Sequence, residues 1–276
     1  MTAKMLAYTK KDSAIHRLTG ASKLIVFLVW SVSAMVTYDT RCLLAMFVIA
    51  LIALWRSKVE FREYAFVLYV ILFFFLLNQL AIFAFSPQEG VKLYGARHLL
   101  FSFGGHYAVT AEQLFYQFNI ALKYLTVTPM ALLFILTTDP SEFAASLNRI
   151  GVPYKIAYAV SLAMRYIPDI QRDYENISFS AQARGIDISR KENLVARLKN
   201  AVSILLPLIL ASVERIDSVS AAMELRGFGQ KARRTWYRYR PFAAGDYAAV
   251  ALVIVIAVVC VSMMVVNGSR FYTIFQ

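Results

Sequence analysis

Long apolar stretches alternate with charged stretches along this chain. Three of the apolar stretches, residues 64–88, 113–138 and 247–269, exceed the roughly 20 residues that a helix needs to cross a hydrocarbon core. The first and third contain no Asp, Glu, Lys or Arg, and the second contains only Lys123. Each stretch therefore predicts a membrane-spanning helix, with Lys123 either reaching an interface or making a polar contact with another helix.

Two shorter apolar runs, residues 24–38 and 42–55, lie close together near the N-terminus. Asp39, Thr40 and Arg41 separate them and predict a turn. Because both runs are short for a span, they form either two spans or a shallow hairpin, and we take them as two spans. The predicted fold class is an all-α integral membrane protein with about five transmembrane helices.

Residues 139–245 carry too many charges to cross a membrane, and their apolar residues recur with helical spacing. Two stripes with intervals of three and four result: Ile167, Ile170, Tyr174, Ile177 and Ala181, then Ile209, Val213, Ile216, Ser220 and Met223. Helices of this kind lie along a membrane surface or pack on each other. The predicted domains are therefore a four-span membrane domain at 1–138, a cytoplasmic domain of long amphipathic helices at 139–245, and a last transmembrane helix at 246–276.

The basic residues are unevenly distributed over this topology. With five spans and the N-terminus inside, 24 of the 29 Lys and Arg residues fall in the inside segments and only four in the outside segments. Because Lys and Arg concentrate in cytoplasmic segments, this split predicts a cytoplasmic N-terminus and an extracellular C-terminus. The net charge of +12 thus belongs to one membrane face and does not indicate a nucleic-acid partner.

The two stripes end in similar short sequences, SAQARGID at 180–187 and MELRGFG at 223–229. Arg184 and Arg226 each follow the last stripe residue by three positions, and Gly185 and Gly227 come next. Glycine is common just past a helix C-terminus, where the free carbonyls also favour a cation. One such motif is an ordinary helix stop, but its repetition on two long helices favours a shared binding role.

Two prolines lie within the same helical patterns. Pro168 and Pro207 each predict a break in the helix, either as a kink or as a helix start. Arg165, three residues before Pro168, either satisfies backbone carbonyls near that break or extends to the membrane interface.

The chain lacks the residue patterns of an enzyme. No G-x-x-x-x-G-K followed by Ser or Thr occurs, and no nucleophile is paired with a base. His98 and His106 have no Cys, Asp or Glu at metal-ligand spacing, and Cys42 and Cys260 are expected to be buried thiols. We therefore expect no catalysis, no metal and no cofactor in this chain. A self-contained channel or secondary transporter is the alternative, although the spans offer few ionisable groups.

Four motifs, taken in order, resemble the transmembrane T component of energy-coupling factor (ECF) transporters, the family of the EcfT and CbiQ proteins. SAIHRLTGASKL at 13–24 resembles the opening motif of the family, with Thr19 and Gly20 in place of its Asp or Asn and its Pro. GVPYKIAYAVSLAMRYIP at 151–168 is similar to a central motif. AQARG and AMELRG are similar to two Ala-Arg-Gly motifs, and Leu225 departs from the usual alanine of the second.

The resemblance implies a permanent complex with two ATPase subunits, which bind ATP and Mg²⁺, and with a small substrate-binding membrane protein, the S component. It assigns the two Arg-Gly motifs to grooves on the two ATPases: Ala183, Arg184 and Gly185 to one, and Leu225, Arg226 and Gly227 to the other. The long cytoplasmic helices would then be coupling helices for the uptake of a vitamin or a metal ion. The basic run KARRTWYRYRP at 231–241 predicts contact with anionic lipids or, alternatively, with an ATPase.

Overall fold

The computed structural model describes residues 13–102, 108–186, 194–231, 236 and 240–272. In this part the chain forms helices and one short β-hairpin: α1 Gly20–Val36, α2 Thr40–Arg56, α3 Phe61–Phe85, α4 Glu89–Tyr94, β1 Leu99–Ser102, β2 Ala108–Thr110, α5 Ala111–Thr137, α6 Pro140–Arg149, α7 Tyr154–Ala183, α8 Leu194–Leu225 and α9 Ala244–Val266. β1 and β2 pair antiparallel, with Leu99 opposite Thr110. The hairpin is confined to a loop, so the predicted all-α membrane class is confirmed.

Three of the described helices are long and apolar enough to cross a membrane. They are α3, α5 and α9, with 25, 27 and 23 residues and mean hydropathies of 2.4, 1.8 and 3.2. α1 and α2 have only 17 residues each, about 25 Å of helix against a hydrocarbon core of about 30 Å. The three longest predicted spans therefore form helices of sufficient length and hydropathy, and the crossing by α1 and α2 stays a prediction.

The chain divides into two compact units. Unit 1 comprises Met1–Asp139 with Arg240–Gln276, and unit 2 comprises Pro140–Tyr239. The last helix was predicted as a domain of its own, but in the structure α9 packs against α1 within unit 1. Residues 240–243 also belong to unit 1, where Arg240 donates a hydrogen bond to the Arg17 carbonyl and the Ala243 amide donates one to Asp246.

One end of unit 1 is closed by polar contacts between helix termini. The amide of Thr19 donates to Asp246 Oδ1 at 2.7 Å, which joins the start of α1 to the start of α9. Lys23 Nζ donates to the Thr137 carbonyl at 2.7 Å, which adds the end of α5. Within unit 1, the end of α5 and Arg240 therefore both lie near the start of α1.

The opposite end of unit 1 joins the remaining helix termini. The Tyr38 amide donates to the Arg270 carbonyl, past the end of α9, and Thr40 Oγ1 donates to Asn119 Oδ1 in the first half of α5. Gln113 Nε2 donates to the Ser86 carbonyl, at the end of α3. Accordingly α1, α3 and α9 run in one direction and α2 and α5 in the other, as alternating passes through a membrane require.

Lys123 lies in the interior of unit 1. Its Nζ donates to the Met35 carbonyl in the last turn of α1 at 2.8 Å and lies 3.1 Å from the ring centroid of Tyr38. A cation at a helix C-terminus compensates carbonyls that have no partner in the helix. Of the two interpretations of this lysine, the structure supports the polar contact between helices. The thiols of Cys42 and Cys260 are free and buried, as predicted.

Unit 2 consists of α6, α7 and α8, in which α6 packs on α7 and α7 packs on α8. Pro168 and Pro207 lie inside α7 and α8, which the structure assigns as helix on both sides of each proline. Neither proline therefore starts a helix, and the kink at each stays a prediction. A proline interrupts one backbone hydrogen bond, whereas ending a helix leaves four carbonyls without intrahelical partners, so continuity costs less here.

Candidate functional site at the two Arg-Gly helix ends

The first Arg-Gly motif terminates α7 with a defined backbone geometry. Arg184 is the C-cap residue, and Gly185 follows with φ of +84°. The Gly185 amide donates to the Gln182 carbonyl at 2.9 Å, and the Ile186 amide donates to the Ala181 carbonyl at 3.1 Å. These two hydrogen bonds define a Schellman motif, in which glycine adopts a left-handed conformation that other residues rarely take.

The second motif terminates α8 with the same hydrogen bonds. Gly227 has φ of +66°, and its amide donates to the Glu224 carbonyl at 2.8 Å. The Phe228 amide donates to the Met223 carbonyl at 3.0 Å. Arg226 therefore occupies the position that Arg184 occupies on α7. Leu225, the departure from the family motif, does not alter this backbone geometry.

Both motifs present their side chains to the surroundings. Ala183, Arg184, Leu225 and Arg226 are all exposed in the structure, and Leu225 is 90% exposed. Within the described part of the chain, the Arg184 guanidinium has no ion-pair partner. A charged group fixed on a helix end and an apolar side chain beside it are available for contact with another molecule.

The two motifs lie at opposite ends of the α7–α8 pair. The ring of Phe228, just past α8, packs against Tyr154 and Tyr158 in the first turns of α7, with centroid distances of 5.6 and 4.9 Å. α7 and α8 therefore run antiparallel. The structure does not bring Arg184 and Arg226 together, because one marks the far end of α7 and the other lies beside its start.

An ion pair joins the middle of the two helices. Arg215 Nη2 of α8 donates to Asp173 Oδ2 of α7 at 2.7 Å, and the guanidinium carbon lies 5.8 Å from the ring centroid of Tyr166. Neither residue belongs to the two predicted apolar stripes, so the apolar spacing gave no indication of this contact. One sequence signal could have indicated the contact. Asp173 and Arg215 have opposite charges and lie eleven positions before Arg184 and Arg226, respectively.

Most residues of the two predicted apolar stripes are exposed, whereas Ala181 at the end of the first stripe is buried. Ile167, Tyr174, Ile209 and Ile216 are 54, 42, 57 and 61% exposed. The less exposed face of α8 lies next to the predicted stripe, and most of its residues come one position before a stripe residue in the sequence. It consists of Ile204, Leu208, Ser212, Arg215 and Val219. The stripes left out every charged residue, whereas a paired charged residue such as Arg215 also fits between helices. The exposed stripes leave the membrane-surface interpretation in place.

Arg165 does not act on the carbonyls near Pro168. Its side chain is exposed, and it makes no hydrogen bond among the residues that the structure describes.

Of the basic run at 231–241, only Lys231, Trp236, Arg240 and Pro241 are described. The Trp236 indole donates a hydrogen bond to Asn148 Oδ1 at 3.1 Å within unit 2. The predicted lipid contact of this run otherwise falls on residues outside the described part.

The N-terminal motif builds a helix start. Ser13 Oγ and His16 Nδ1 are 2.8 Å apart, and Thr19 Oγ1 accepts from the Ser22 amide as the N-cap of α1. Threonine is a favoured N-cap like the Asp or Asn that it replaces, so the departure from the family motif preserves this role.

His98 has a partner that the sequence did not suggest. Its amide donates to both carboxylate oxygens of Glu112, at 2.9 and 3.1 Å, and its Nδ1 lies 2.5 Å from Glu112 Oε1. Glu112 is fully buried at the start of α5. Among the described residues no group of three or more His, Cys, Asp or Glu could hold a metal ion. His106 lies outside the described residues.

Comparison with known proteins identifies the family. A family model described as cobalt transport protein, CbiQ, matches residues 11–237 and thus includes both Arg-Gly motifs. The chain belongs to the EcfT/CbiQ family.

Members of this family include proteins named energy-coupling factor transporter transmembrane protein EcfT. The protein of Lactococcus lactis is 26% identical over 265 residues, 92% of this chain and 95% of the relative, and that of Bacillus subtilis is 27% identical over 262 residues, 91% of this chain and 94% of the relative. The chain is therefore a transmembrane component of an ECF transporter, and the predicted recognition is confirmed.

Proposed function

We propose that this family member couples ATP hydrolysis to import. In this proposal, it transmits motion from two ATPase subunits to a substrate-binding S component during the uptake of a vitamin or a metal ion, and performs no catalysis itself. The observation that carries the proposal is the pair of Schellman motifs, which fix Arg184 and Arg226 at equivalent positions on two helices. Such duplication suits two ATPase subunits with equivalent grooves.

The chemistry of each tip suits a groove lined by oxygen atoms. A guanidinium has five donors in a rigid plane and binds a carboxylate or a set of carbonyls through two parallel hydrogen bonds. Gly185 and Gly227 carry no side chain, so a partner can approach the helix end closely. One ATPase would receive Ala183, Arg184 and Gly185, and the other Leu225, Arg226 and Gly227. ATP and Mg²⁺ would be bound by those ATPases.

The exposed apolar stripes offer a surface through which the motion of the tips can reach the S component. Ile167, Tyr174, Ile209 and Ile216 present apolar surface on the same two helices that carry the tips. Exposed apolar surface of this kind favours contact with lipid or with another membrane protein. We propose that the S component contacts this surface, so that displacement of the tips is transmitted to it through α7 and α8.

The orientation follows from charge and topology together. The start of α1, the end of α5 and the start of α9 lie at one end of unit 1. With 24 of 29 basic residues assigned to that side of the membrane, we propose that this end faces the cytoplasm and that the C-terminus is extracellular. Unit 2 would thereby be accessible to the ATPases.

The alternative is a self-contained channel or secondary transporter. Such a protein uses ionisable groups at membrane depth, and the one in the middle of the described spans, Lys123, is held by the Met35 carbonyl and the Tyr38 ring. Because both contacts occupy the Lys123 ammonium group, they support the coupling proposal over a channel or secondary transporter. Uptake of Co²⁺ or of a labelled vitamin by vesicles containing the purified chain alone would favour the alternative.

The coupling proposal is tested by removing the arginines from the tagged chain and measuring which ATPase subunits co-purify from the native membrane. Arg184→Ala and Arg226→Ala are each expected to reduce ATPase recovery and ATP hydrolysis, and the double variant to abolish both. Arg172→Ala is the matched control, since this arginine is 76% exposed on α7 away from its tip. Full ATPase recovery and hydrolysis by the double variant would contradict the proposal.

A further inference from the structure

The ion pair between Asp173 and Arg215 is the polar contact that the structure shows between the middles of α7 and α8. Its N–O distance of 2.7 Å is that of a charge-assisted hydrogen bond. The side chains are 33 and 37% exposed, so water screens the pair and its contribution to folding stability is small. A short, directional contact of modest strength is better suited to fixing the position of two helices than to holding the unit folded.

The position of this pair relative to the tips is symmetrical. Asp173 precedes Arg184 by eleven residues, and Arg215 precedes Arg226 by eleven. At 1.5 Å per residue, each tip lies about 16 Å along its helix from the pair. Because the helices run antiparallel, a slip of one helix past the other changes the separation of the tips directly.

A second, aromatic contact joins α7 and α8 at one end of the helix pair. Phe228 packs against Tyr154 and Tyr158, beside the second tip. Aromatic contacts tolerate small sliding motions, whereas the N–O geometry of an ion pair does not. The ion pair is therefore a stricter constraint on the register of the two helices than the aromatic contact is.

We propose that Asp173 and Arg215 are positioning residues that set the separation of the two arginine tips. Without the pair, α7 and α8 remain folded and in contact but slide relative to each other. The tips then meet the two ATPase grooves one at a time instead of together. This functional consequence rests on the proposed docking of both tips, whereas the fixed separation is a property of the chain itself.

The separation can be measured on the full chain in nanodiscs, without any partner. Spin labels on Ala183→Cys and Leu225→Cys report the tip-to-tip distance by double electron–electron resonance. The native thiols Cys42 and Cys260 are buried, and labelling of the chain without introduced cysteines measures their background. Asp173→Asn and Arg215→Gln are each expected to broaden the distance distribution. The ratio of packed to displaced helices should fall about two- to fivefold, as for a partly exposed ion pair.

Charge reversal separates positioning from a general loss of structure. Asp173→Arg combined with Arg215→Asp restores an ion pair and is expected to restore the narrow distribution. Asp169→Asn combined with Arg172→Gln removes an ion pair within α7, with side chains 40 and 76% exposed, and is expected to change nothing. An unchanged distribution in the single variants, or a failure of the reversed pair to restore it, would overturn the proposal.

Co-purified ATPases provide the functional measurement. In the complex, the single variants should retain the ATPases and hydrolyse ATP about two- to fivefold more slowly, and the reversed pair should regain the parent rate. If the distances respond as expected but loss of both arginines leaves the ATPases bound, the coupling function is wrong and the positioning role stands. If the distances do not respond, the positioning role is wrong whatever the ATPases do.

Discussion

Thr19 donates two hydrogen bonds to Asp246, from its amide at 2.7 Å and from its hydroxyl at 3.0 Å. Ser22 Oγ adds a third at 2.6 Å and the Ala243 amide a fourth at 2.9 Å. One carboxylate therefore joins the starts of α1 and α9, which are separated by more than two hundred residues of sequence. This contact therefore joins the two sequence segments, Met1–Asp139 and Arg240–Gln276, that make up unit 1.

Asp246→Ala is expected to destabilise unit 1, because it leaves four donors without their acceptor. The carboxylate is only 1% exposed, so the cost is about 2–3 kcal/mol. Thermal unfolding of the detergent-solubilised chain should begin several degrees lower than for the parent chain. Asp217→Ala removes an exposed aspartate from α8 and serves as the control. Equal midpoints for both variants would show that the four hydrogen bonds contribute nothing measurable.

Asp39 confers a pH dependence on the turn between α1 and α2. Burial opposes ionisation of its carboxyl, but hydrogen bonds from Arg41 and Asn267 outweigh burial and hold its pKa below the ordinary value of 3.8. A carboxyl with a lowered pKa stabilises the folded state above its unfolded pKa, and that contribution is lost as the pH falls through the folded value. Asp39→Asn should therefore lower the free energy of unfolding at neutral pH. The difference in this free energy between the variant and the parent chain should become smaller below about pH 4. Unfolding midpoints measured from neutral pH down to about pH 3 test this; a constant difference would contradict it.

The helices of both units could largely be predicted from the sequence, because their signals are local. Long apolar stretches predict α3, α5 and α9, and Gly185 and Gly227 predict the two helix ends. The contacts between helices could not be predicted in the same way. The Asp173–Arg215 pair depends on which helix faces are brought together, and the Glu112–His98 pair depends on how the segment before β1 packs against the start of α5. Apolar periodicity indicates neither contact. Pro168 and Pro207 lie within helices instead of starting them, since a long packed helix tolerates a local defect that a short isolated one does not.

The glycines of the two motifs are expected to be needed for their backbone conformation. With φ of +84° and +66°, alanine at either position costs about 1–2 kcal/mol, although a Cβ at Gly185 would meet no atom within 4 Å. A Cβ at Gly227 would in addition approach the Gln230 side chain at 3.0 Å. Gly185→Ala and Gly227→Ala should therefore reduce ATPase co-purification, and the Gly→Asn variants should retain more of it, because asparagine tolerates this conformation. Equal losses for alanine and asparagine would indicate that the missing side chain, and not the backbone, matters.

Phe228 is expected to stabilise one tip and not the other. Its ring packs on Tyr154 and Tyr158, and its amide donates to the Met223 carbonyl that closes the second Schellman motif. Phe228→Ala removes the ring contacts, so the end of α8 should fray while the end of α7 remains closed.

Hydrogen exchange measured by mass spectrometry distinguishes the two ends within a single sample. Peptides covering 223–230 should exchange faster in Phe228→Ala, and peptides covering 178–186 should be unchanged. Phe179→Ala removes a ring that is 65% exposed on α7 and should leave the second tip protected. Faster exchange at both tips would mean that Phe228 supports the whole α7–α8 pair, and unchanged exchange at 223–230 would mean that the Schellman hydrogen bonds hold the second tip without the aromatic contact.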